Sequence, residues 1–452
     1  MTTQFFSEEL VYSKGIQSHG NYKYLRIVPI GSGGQSPTLS LTSTVQTQFE
    51  LPNNVLNLSK SKLCFDINFT TAGAGVCHNI HANALSLIDR ITLTSRSGTI
   101  LADIPNCHIF GNMISAVNTK YSDLVTRTPM NNLTMTMGGH ATVATALSLS
   151  QVTPVSDIVR CNSLSNYQVV NGLLAYTPYT EPAVFYTAVA NVANSLSYQI
   201  ELSAFKDTIM ELNKNIYFDD NLLLTINWNS VNKISFTTTT TATVTGPAPQ
   251  AIVPTLSGLY IYTACETDPT VISQLVSAVN EGFSMIVPFV YCQKYAAAQA
   301  TGASMQQRIT KNNGSSLLRT YFSIFSNVDT ELDAYTHLDA HLTSYNTMMD
   351  GLRLQDFTLS VADSTSWLYN ERNFRNSSMQ SLKQFKQNFV HIDNWCGSAP
   401  CENDDTILNG LNLDSDRTWS VITTTPNASY KYYLFYTTQK KLVISKGTLA
   451  LV

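Results

Sequence analysis

The sequence predicts an all-β protein of two tandem β-sandwich domains with short helical inserts. Three observations support this prediction. The 452 residues exceed what one hydrophobic core usually serves. Alternating apolar and polar residues, the pattern of half-buried strands, recur along the whole chain. Helical periodicity is confined to a few short segments, so the helices are inserts in a β fold.

The strand signal is clearest between Leu63 and Phe69, where every second residue is large and apolar. Such a period of two places all of those side chains on one face of a strand. The same period recurs at residues 196–202, 222–228 and 318–324. We therefore expect sheets that bury one face and expose the other.

Helical signals are few. Asp268 and Pro269 form a typical helix start, with a capping carboxylate followed by proline in the first turn, and apolar residues then follow at helical spacing. This pattern predicts a helix over 269–281. Two further helices are predicted near 376–391 and 107–121.

The composition changes near the middle of the chain, where a threonine run is followed by three prolines. Prolines at this density favour extended, semi-rigid backbone, which is typical of a linker. We predict a first domain at 21–235, a junction at 236–257 and a second domain at 258–452. The two halves have a similar layout, which indicates duplication of one sandwich.

Residues 1–20 precede the first confident strand and show no sustained alternation. Four apolar residues in this segment would share one face of a short helix, and these are Phe5, Phe6, Leu10 and Val11. A helix this short is marginal in water without packing. We expect an N-terminal arm that orders only on contact with neighbouring molecules.

The N-terminal segment lacks the basic-then-apolar order of residues in a secretory signal, so export by the general route is disfavoured.

Charged residues make up only 13% of the chain, about half the usual share, and the net charge is −4. Neutral polar side chains lose less than charged ones on desolvation, so this surface suits a protein that is covered by neighbouring subunits. It also suits a secreted adhesin. Basic residues form no cluster, so we expect no direct nucleic-acid binding.

Candidate chemical sites are weak. Cys396 and Cys401 are the one cysteine pair close enough in sequence to bridge, and both a disulfide and two free thiols remain open. His337 and His341 have the spacing of metal ligands on a helix but lack a third ligand, and the histidines and cysteine of 77–81 adjoin a glycine-rich turn. We expect no metal and no cofactor.

Signatures of catalysis are lacking as well. The sequence contains no nucleophile elbow, and the glycine cluster at 31–34 lacks the spacing of a phosphate-binding loop. Adjacent acidic residues at 219–220 and 404–405 would point to opposite faces of a strand, so they cannot form a paired-carboxylate site. We expect that the protein is not an enzyme.

Four segments resemble the double-jelly-roll major capsid proteins of tailless double-stranded DNA viruses. That lineage includes adenovirus hexon, large algal virus coats, virophages and Polinton-like viruses. The resemblance lies in layout and segment character at 49–69, 82–101, 196–229 and 432–452. The chain lacks the N-terminal opening of the large algal type and has shorter loops than hexon.

The resemblance implies two eight-stranded jelly rolls per chain, a homotrimer that forms a pseudo-hexagonal capsomer, and an icosahedral capsid. The implied partners are other copies of the chain, minor capsid and penton proteins, and an internal membrane. The implied location is the virion, after synthesis in the host cytoplasm or nucleus. The alternative function is a carbohydrate-binding adhesin or receptor-binding spike with tandem β-sandwiches, which the lack of an export signal disfavours.

Overall fold

The computed structural model describes the chain in segments that together cover both predicted domains. The described residues are 3–4, 22–31, 33, 37–70, 76–80, 84–118, 166–170, 173–177, 186–187, 193–230, 235–239, 244–247, 255–295, 304–326, 344–360, 365–371, 389–396, 406–407, 410–423, 430–446 and 448–452.

Among the described residues of the first half, eight main strands form two sheets that face each other across a core. The larger sheet has the strand order β6-β3-β8-β1 and the smaller one β2-β7-β4-β5, with antiparallel pairing throughout. In chain order these strands are β1 (Tyr22–Ile27), β2 (Val45–Leu51), β3 (Val55–Thr70), β4 (Ile88–Ser95), β5 (Ile100–Ile104), β6 (Ala193–Glu201), β7 (Leu222–Trp228) and β8 (Thr255–Glu266).

The second half repeats this arrangement, with a larger sheet ordered β14-β11-β16-β9 and a smaller one ordered β10-β15-β12-β13. In each half, strands one, eight, three and six form one sheet, and strands two, seven, four and five form the other. This is a jelly-roll topology, so the predicted all-β class and double jelly roll are confirmed. The strands are β9 (Phe283–Tyr295), β10 (Ser304–Ile309), β11 (Ser316–Ser326), β12 (Tyr345–Met349), β13 (Leu352–Arg353), β14 (His391–Asn394), β15 (Arg417–Thr423) and β16 (Tyr430–Ser445).

The boundary between the jelly rolls differs from the predicted one. Strand β8 pairs with both β3 and β1, so it is the last strand of the first jelly roll. The predicted junction at 236–257 and second domain from 258 are therefore wrong. The Thr/Pro-rich stretch connects β7 to β8 within the first jelly roll, and part of it pairs as a side hairpin. The composition of this stretch correctly indicated a loop. It did not indicate that the loop lies within the first jelly roll rather than between the two jelly rolls.

Helices occupy connections between the strands. They are α1 (Cys107–Asn118), α2 (Pro269–Glu281) and α3 (Thr365–Asn370). Helix α2 confirms its prediction and links the two jelly rolls, and its first turn is capped by Asp268, whose carboxylate accepts a hydrogen bond from the Thr270 amide at 2.9 Å. Helix α1 starts where predicted. Helices α1 and α3 both follow the fifth strand of their jelly roll.

The predicted helix at 376–391 falls mostly outside the described residues. Its predicted end is wrong, because His391 begins strand β14 and pairs with Phe322.

Shorter elements complete the described fold. Short strands are Thr3–Gln4, Leu39–Ser40, Val76–Ile80, Asn166–Val170, Leu173–Thr177, Tyr186–Thr187, Ile216–Tyr217, Ser235–Thr239, Val244–Pro247, Thr406–Ile407, Leu411–Asn412 and Thr448–Leu451, and 3-10 turns are Ala84–Leu87, Leu202–Ala204, Ile209–Glu211 and Lys311–Asn313.

Aromatic side chains fill the space between the sheets of each jelly roll. In the first, the Phe65 ring lies edge-on to Trp228 with centroids 5.1 Å apart, and the Trp228 indole donates a hydrogen bond to Thr47 at 2.9 Å. In the second, Phe322 packs edge-on against Phe389 at 5.9 Å and stacks with Tyr432 at 6.2 Å. These rings bury a large apolar area and pack in specific geometries, which fixes the position of one sheet against the other.

The strands differ in how many faces they bury. Strand β7 alternates strictly between buried and half-buried residues, as its sequence predicts. Strand β11 was expected to expose one face to solvent, and this expectation is wrong. Its even-numbered residues, such as Phe322, face the core of their own jelly roll, while Arg319 and Tyr321 are buried against the first jelly roll.

Candidate functional site

The two jelly rolls meet at a buried junction, which brings together side chains that are far apart in sequence. The first jelly roll contributes α1 and residues 206–211, and the second contributes the outer face of its larger sheet. Phe110 on α1 lies at the apolar centre, with ring centroids 5.5 Å from Tyr321 and 5.0 Å from Phe435. All three rings are buried, so separating the jelly rolls would expose a large aromatic surface to water.

A charged cluster lies beside these rings. Arg319 on β11 donates a hydrogen bond to one oxygen of Asp207 at 3.1 Å, and the Tyr321 hydroxyl donates to the other at 2.7 Å. Glu211 accepts from the Asp207 amide at 2.8 Å and from Lys206 at 3.0 Å. Both Asp207 oxygens are thus occupied by donors from the second jelly roll.

Burial raises the pKa of Asp207, and the nearby Glu211 charge acts in the same direction, whereas Arg319 and the Tyr321 hydrogen bond oppose this rise. Removing two charges from water costs several kcal/mol per ion, which their attraction offsets only with close hydrogen-bonded geometry. We therefore interpret the Asp207–Arg319 pair as a determinant of orientation, because a shifted packing would bury both charges without their partners.

Polar contacts continue along the junction. The Thr99 hydroxyl donates to the Leu449 carbonyl oxygen at 2.7 Å, and the Asn106 amide lies 3.6 Å from the Cys292 sulfur. Burial raises the pKa of the Cys292 thiol to about 12, so this cysteine is protonated at neutral pH and is not a nucleophile.

A second buried polar network lies inside the second jelly roll. Asp393 accepts hydrogen bonds from the Trp419 indole at 2.8 Å and from Thr347 at 3.2 Å, and it lies 3.1 Å from the His391 ring. The other nitrogen of His391 lies 3.0 Å from the Tyr345 hydroxyl. This Tyr–His–Asp arrangement resembles a catalytic relay, but all three side chains are buried and inaccessible to a substrate. It supports the core.

Burial alone would raise the pKa of Asp393. The attraction of His391, together with hydrogen bonds from His391, Trp419 and Thr347, instead lowers it below the usual range. The network therefore holds an ionised carboxylate in the core, which is favourable only while every partner is in place. The sequence analysis did not predict this network. The one local sign of it in the sequence is that His391 and Asp393, two residues apart, lie on the same face of a strand.

Most of the site residues suggested by the sequence lie outside the described residues. These are Phe5, Phe6, Leu10, Val11, His81, His337, His341 and Cys401. Cys396 is buried, with its sulfur 3.2 Å from the Asn394 side-chain oxygen. The choice between a disulfide with Cys401 and two free thiols is not tested, because Cys401 lies outside the described residues. Cys77 and His78 lie on the short strand Val76–Ile80.

The described segments lack two other kinds of candidate feature, a metal site and a membrane-spanning helix. They contain no group of three or more side chains able to hold a metal ion. Their helices include none that is both long and apolar enough to cross a bilayer. A shallow pocket of about 320 Å³ beside strand β2 is lined by Pro29, Ile30, Leu39, Gln48 and their neighbours, without a titratable side chain.

We predict that Arg319→Leu lowers the free energy of unfolding by about 3–5 kcal/mol, because Asp207 is left buried without its cation. Adding Asp207→Asn to this variant should recover part of the loss. Urea unfolding measures both effects. The control is Arg308→Leu, which breaks the exposed pair with Asp416 and should leave the free energy of unfolding nearly unchanged. Equal losses in Arg319→Leu and the control would contradict this interpretation.

A second prediction concerns pH. Asp393→Asn should lower the free energy of unfolding at neutral pH by about 1–3 kcal/mol, since it disturbs the acceptor of the buried network. A carboxyl with a lowered folded pKa stabilises above its unfolded pKa, and this contribution is lost as the pH falls through the folded value. The difference between wild type and variant should therefore shrink below the ordinary aspartate pKa of 3.8.

Chemical unfolding at a series of pH values measures this difference. Asp416→Asn is the control, because Asp416 lies at the surface, where solvent screens the interactions with the Lys311 amide and Arg308 that lower its pKa. A difference for Asp393→Asn that did not change with pH would show that this carboxylate is not ionised in the core.

Comparisons with known proteins find similarity among solved structures but not among sequences. No protein-family model matches the sequence. No curated protein sequence matches it either. Solved structures match over almost the full length. The crystal structure of PBCV-1 VP54, fitted into a reconstruction of the virophage Sputnik, has a TM-score of 0.53 at 9% identity and covers 96% of this chain and 97% of its own.

Two further structures agree. The Sputnik virophage structure has a TM-score of 0.53 at 12% identity, with 94% of this chain and 89% of that chain covered. The quasi-atomic PBCV-1 capsid has a TM-score of 0.51 at 10% identity, with 96% and 97% covered. At such low identity the likeness concerns the fold. The chain therefore has the double-jelly-roll fold of these viral capsid structures, over nearly its whole length.

Proposed function

We propose that this chain is the major capsid protein of a tailless, icosahedral double-stranded DNA virus and acts by self-assembly, without catalysis or a cofactor. The observation that carries the proposal is the full-length match to capsid chains. The match covers 97% of the PBCV-1 VP54 chain, so both jelly rolls and the connection between them have counterparts. A protein that shared only one common sandwich with these capsids would not match in this way.

Two physical features support the proposal. The buried junction joins the jelly rolls into one block, which suits a shell subunit that has to keep its shape under load from its neighbours. Each jelly roll also ends its larger sheet in edge strands, β1 and β6 in the first and β9 and β14 in the second. Neighbouring subunits would cover these edges. Uncovered strand edges carry unpaired backbone groups that can pair with other chains and cause aggregation. The charge-poor surface suits such coverage.

The proposed assembly unit is a homotrimer with a pseudo-hexagonal outline, because two similar jelly rolls per chain place six similar blocks around a threefold axis. The proposed partners are neighbouring capsomers, minor capsid and penton proteins, and an internal membrane. The proposed location is the virion, after synthesis in the host cytoplasm or nucleus. We propose no sequence-specific contact with nucleic acid, since the net charge of −4 favours none.

Assembly can be tested on the purified full-length chain. Light scattering should give three times the chain mass of 49.8 kDa at micromolar concentration, and negative-stain images should show particles of hexagonal outline. A stable monomer under these conditions, with or without bound carbohydrate, would refute the proposal.

The N-terminal arm is a further part of the proposal. The described part of this segment pairs with its own chain, but only through the two residues Thr3–Gln4 against Thr406–Ile407. Deleting residues 1–19 should therefore leave trimer melting nearly unchanged but impair shell assembly, because terminal segments contribute little until they are tied down by neighbours. Replacing Phe5, Phe6, Leu10 and Val11 together by serine keeps the arm length and should have the same effect if the apolar face is responsible. Efficient shells from either variant, seen by electron microscopy, would contradict this role.

A further inference from the structure

Strand β3 carries an acceptor motif for N-glycosylation close to its start. The motif is Asn57-Leu58-Ser59, an asparagine with a serine two positions later. N-glycosylation joins a bulky oligosaccharide to the side-chain nitrogen of the asparagine, so such motifs are used where that nitrogen is at the surface. Asn57 is only 1% exposed in the folded chain. The motif is therefore within reach of a transferase only before β3 is buried.

The Asn57 carboxamide lies at the centre of a buried polar cluster. Its nitrogen is 3.3 Å from the Tyr22 hydroxyl and 3.2 Å from the side-chain oxygens of Asn213 and Asn215. Tyr22 belongs to β1, and the two other asparagines belong to the connection from β6 to β7. The two N–H groups of Asn57 thus face three oxygens, so both are committed within the cluster.

The orientation of this carboxamide is fixed by its oxygen. The oxygen accepts hydrogen bonds from the Ser59 hydroxyl at 3.0 Å and from the Lys60 backbone amide at 3.2 Å. A backbone N–H can only donate, so a carboxamide turned by half a rotation would set N–H against N–H on one side and oxygen against oxygen on the other. The nitrogen that would carry the glycan therefore points into the cluster.

A glycan on this nitrogen would break the cluster as far as the helix that links the jelly rolls. It would replace one of the two N–H groups and put a sugar ring into a close-packed interior. The Tyr22 hydroxyl also donates to Asn215 at 2.9 Å, and Asn215 donates to Glu266 at 2.7 Å. Glu266 in turn accepts from the amide of Asp268, the capping residue of α2, at 3.0 Å. Opening the cluster would leave these buried groups without partners, which is costly.

We infer that N-glycosylation of Asn57 and folding of the chain exclude each other. The transfer forms a bond between C1 of the oligosaccharide and the Asn57 nitrogen, releases the lipid diphosphate that carried the oligosaccharide, and removes one proton from the nitrogen. A chain made in a compartment with this transferase is thus diverted from folding, whereas a chain made outside it is not. The inference goes beyond the proposed function, because it rests on the contacts of Asn57 and holds whether or not the chain forms a shell.

The first test sends the full-length chain through the secretory pathway of eukaryotic cells by means of an added signal sequence. Folded and misfolded chains are separated by their resistance to a protease, and glycan occupancy at Asn57 is measured in each fraction by mass spectrometry. The glycan should be present in the protease-sensitive fraction and lost from the resistant one. Equal occupancy in the two fractions would overturn the inference, and so would a chain that folds in this pathway with Asn57 unmodified throughout.

The second test isolates this motif in a background chain. The other five Asn-X-Ser/Thr motifs are removed by Thr70→Ala, Thr134→Ala, Ser315→Ala, Ser378→Ala and Ser429→Ala. In the secretory pathway, adding Ser59→Ala to this background should restore folded protein, because Asn57 is then no longer an acceptor. Ser59→Thr keeps both the hydroxyl and the motif, so it is the matched control and should not restore it. Equal yields of folded protein from the background chain and its Ser59→Ala variant would overturn the inference.

Folding of these chains is checked in the absence of the transferase. In the bacterial cytosol the background chain and both of its Ser59 variants should fold, as seen by circular dichroism and thermal melting, because the Ser59 hydroxyl supplies only one of the hydrogen bonds in the cluster. Wild-type protein from the same source serves for the light-scattering test of assembly. A stable monomer there would refute the proposed capsid function and leave this inference standing.

Discussion

The arrangement of the whole chain depends on the packing of strand β11 against the first jelly roll. One face of this strand packs in the core of the second jelly roll. The other face carries Arg319 and Tyr321, which both donate hydrogen bonds to Asp207. Neither jelly roll can turn relative to the other without leaving that carboxylate buried and unsatisfied, which is costly. Together with the packing of Phe110 against Tyr321 and Phe435, this contact sets how one jelly roll lies against the other.

Two buried carboxylates therefore have different tasks. Asp207 joins elements of different jelly rolls, and the pKa of its carboxyl is raised by burial. Asp393 joins strands within one jelly roll, and the pKa of its carboxyl is lowered by His391 and neighbouring donors. Both resemble catalytic groups in their chemistry, but both are sealed from solvent. In this protein, buried ionisable groups specify packing.

Local signals predicted the local structure well. Asp268 and Pro269 located helix α2, and the period-two pattern located strand β7 with its buried face, because both features depend on neighbouring residues. The division into domains failed, since the Thr/Pro-rich stretch marks a loop but carries no information about which strands pair across it. The two faces of β11 and the role of Asp207 also depend on distant partners, and Arg319 is 112 positions from Asp207.

The position of β8 in its sheet has a consequence for biosynthesis. It is the last strand of the first jelly roll to leave the ribosome, yet it lies between β3 and β1, and β16 has the same place between β11 and β9. Each larger sheet is thus completed at an inner position, by the eighth main strand of its jelly roll. Strands β1 and β3 pair with β8 rather than with each other, so the larger sheet can be completed only after β8 has been made.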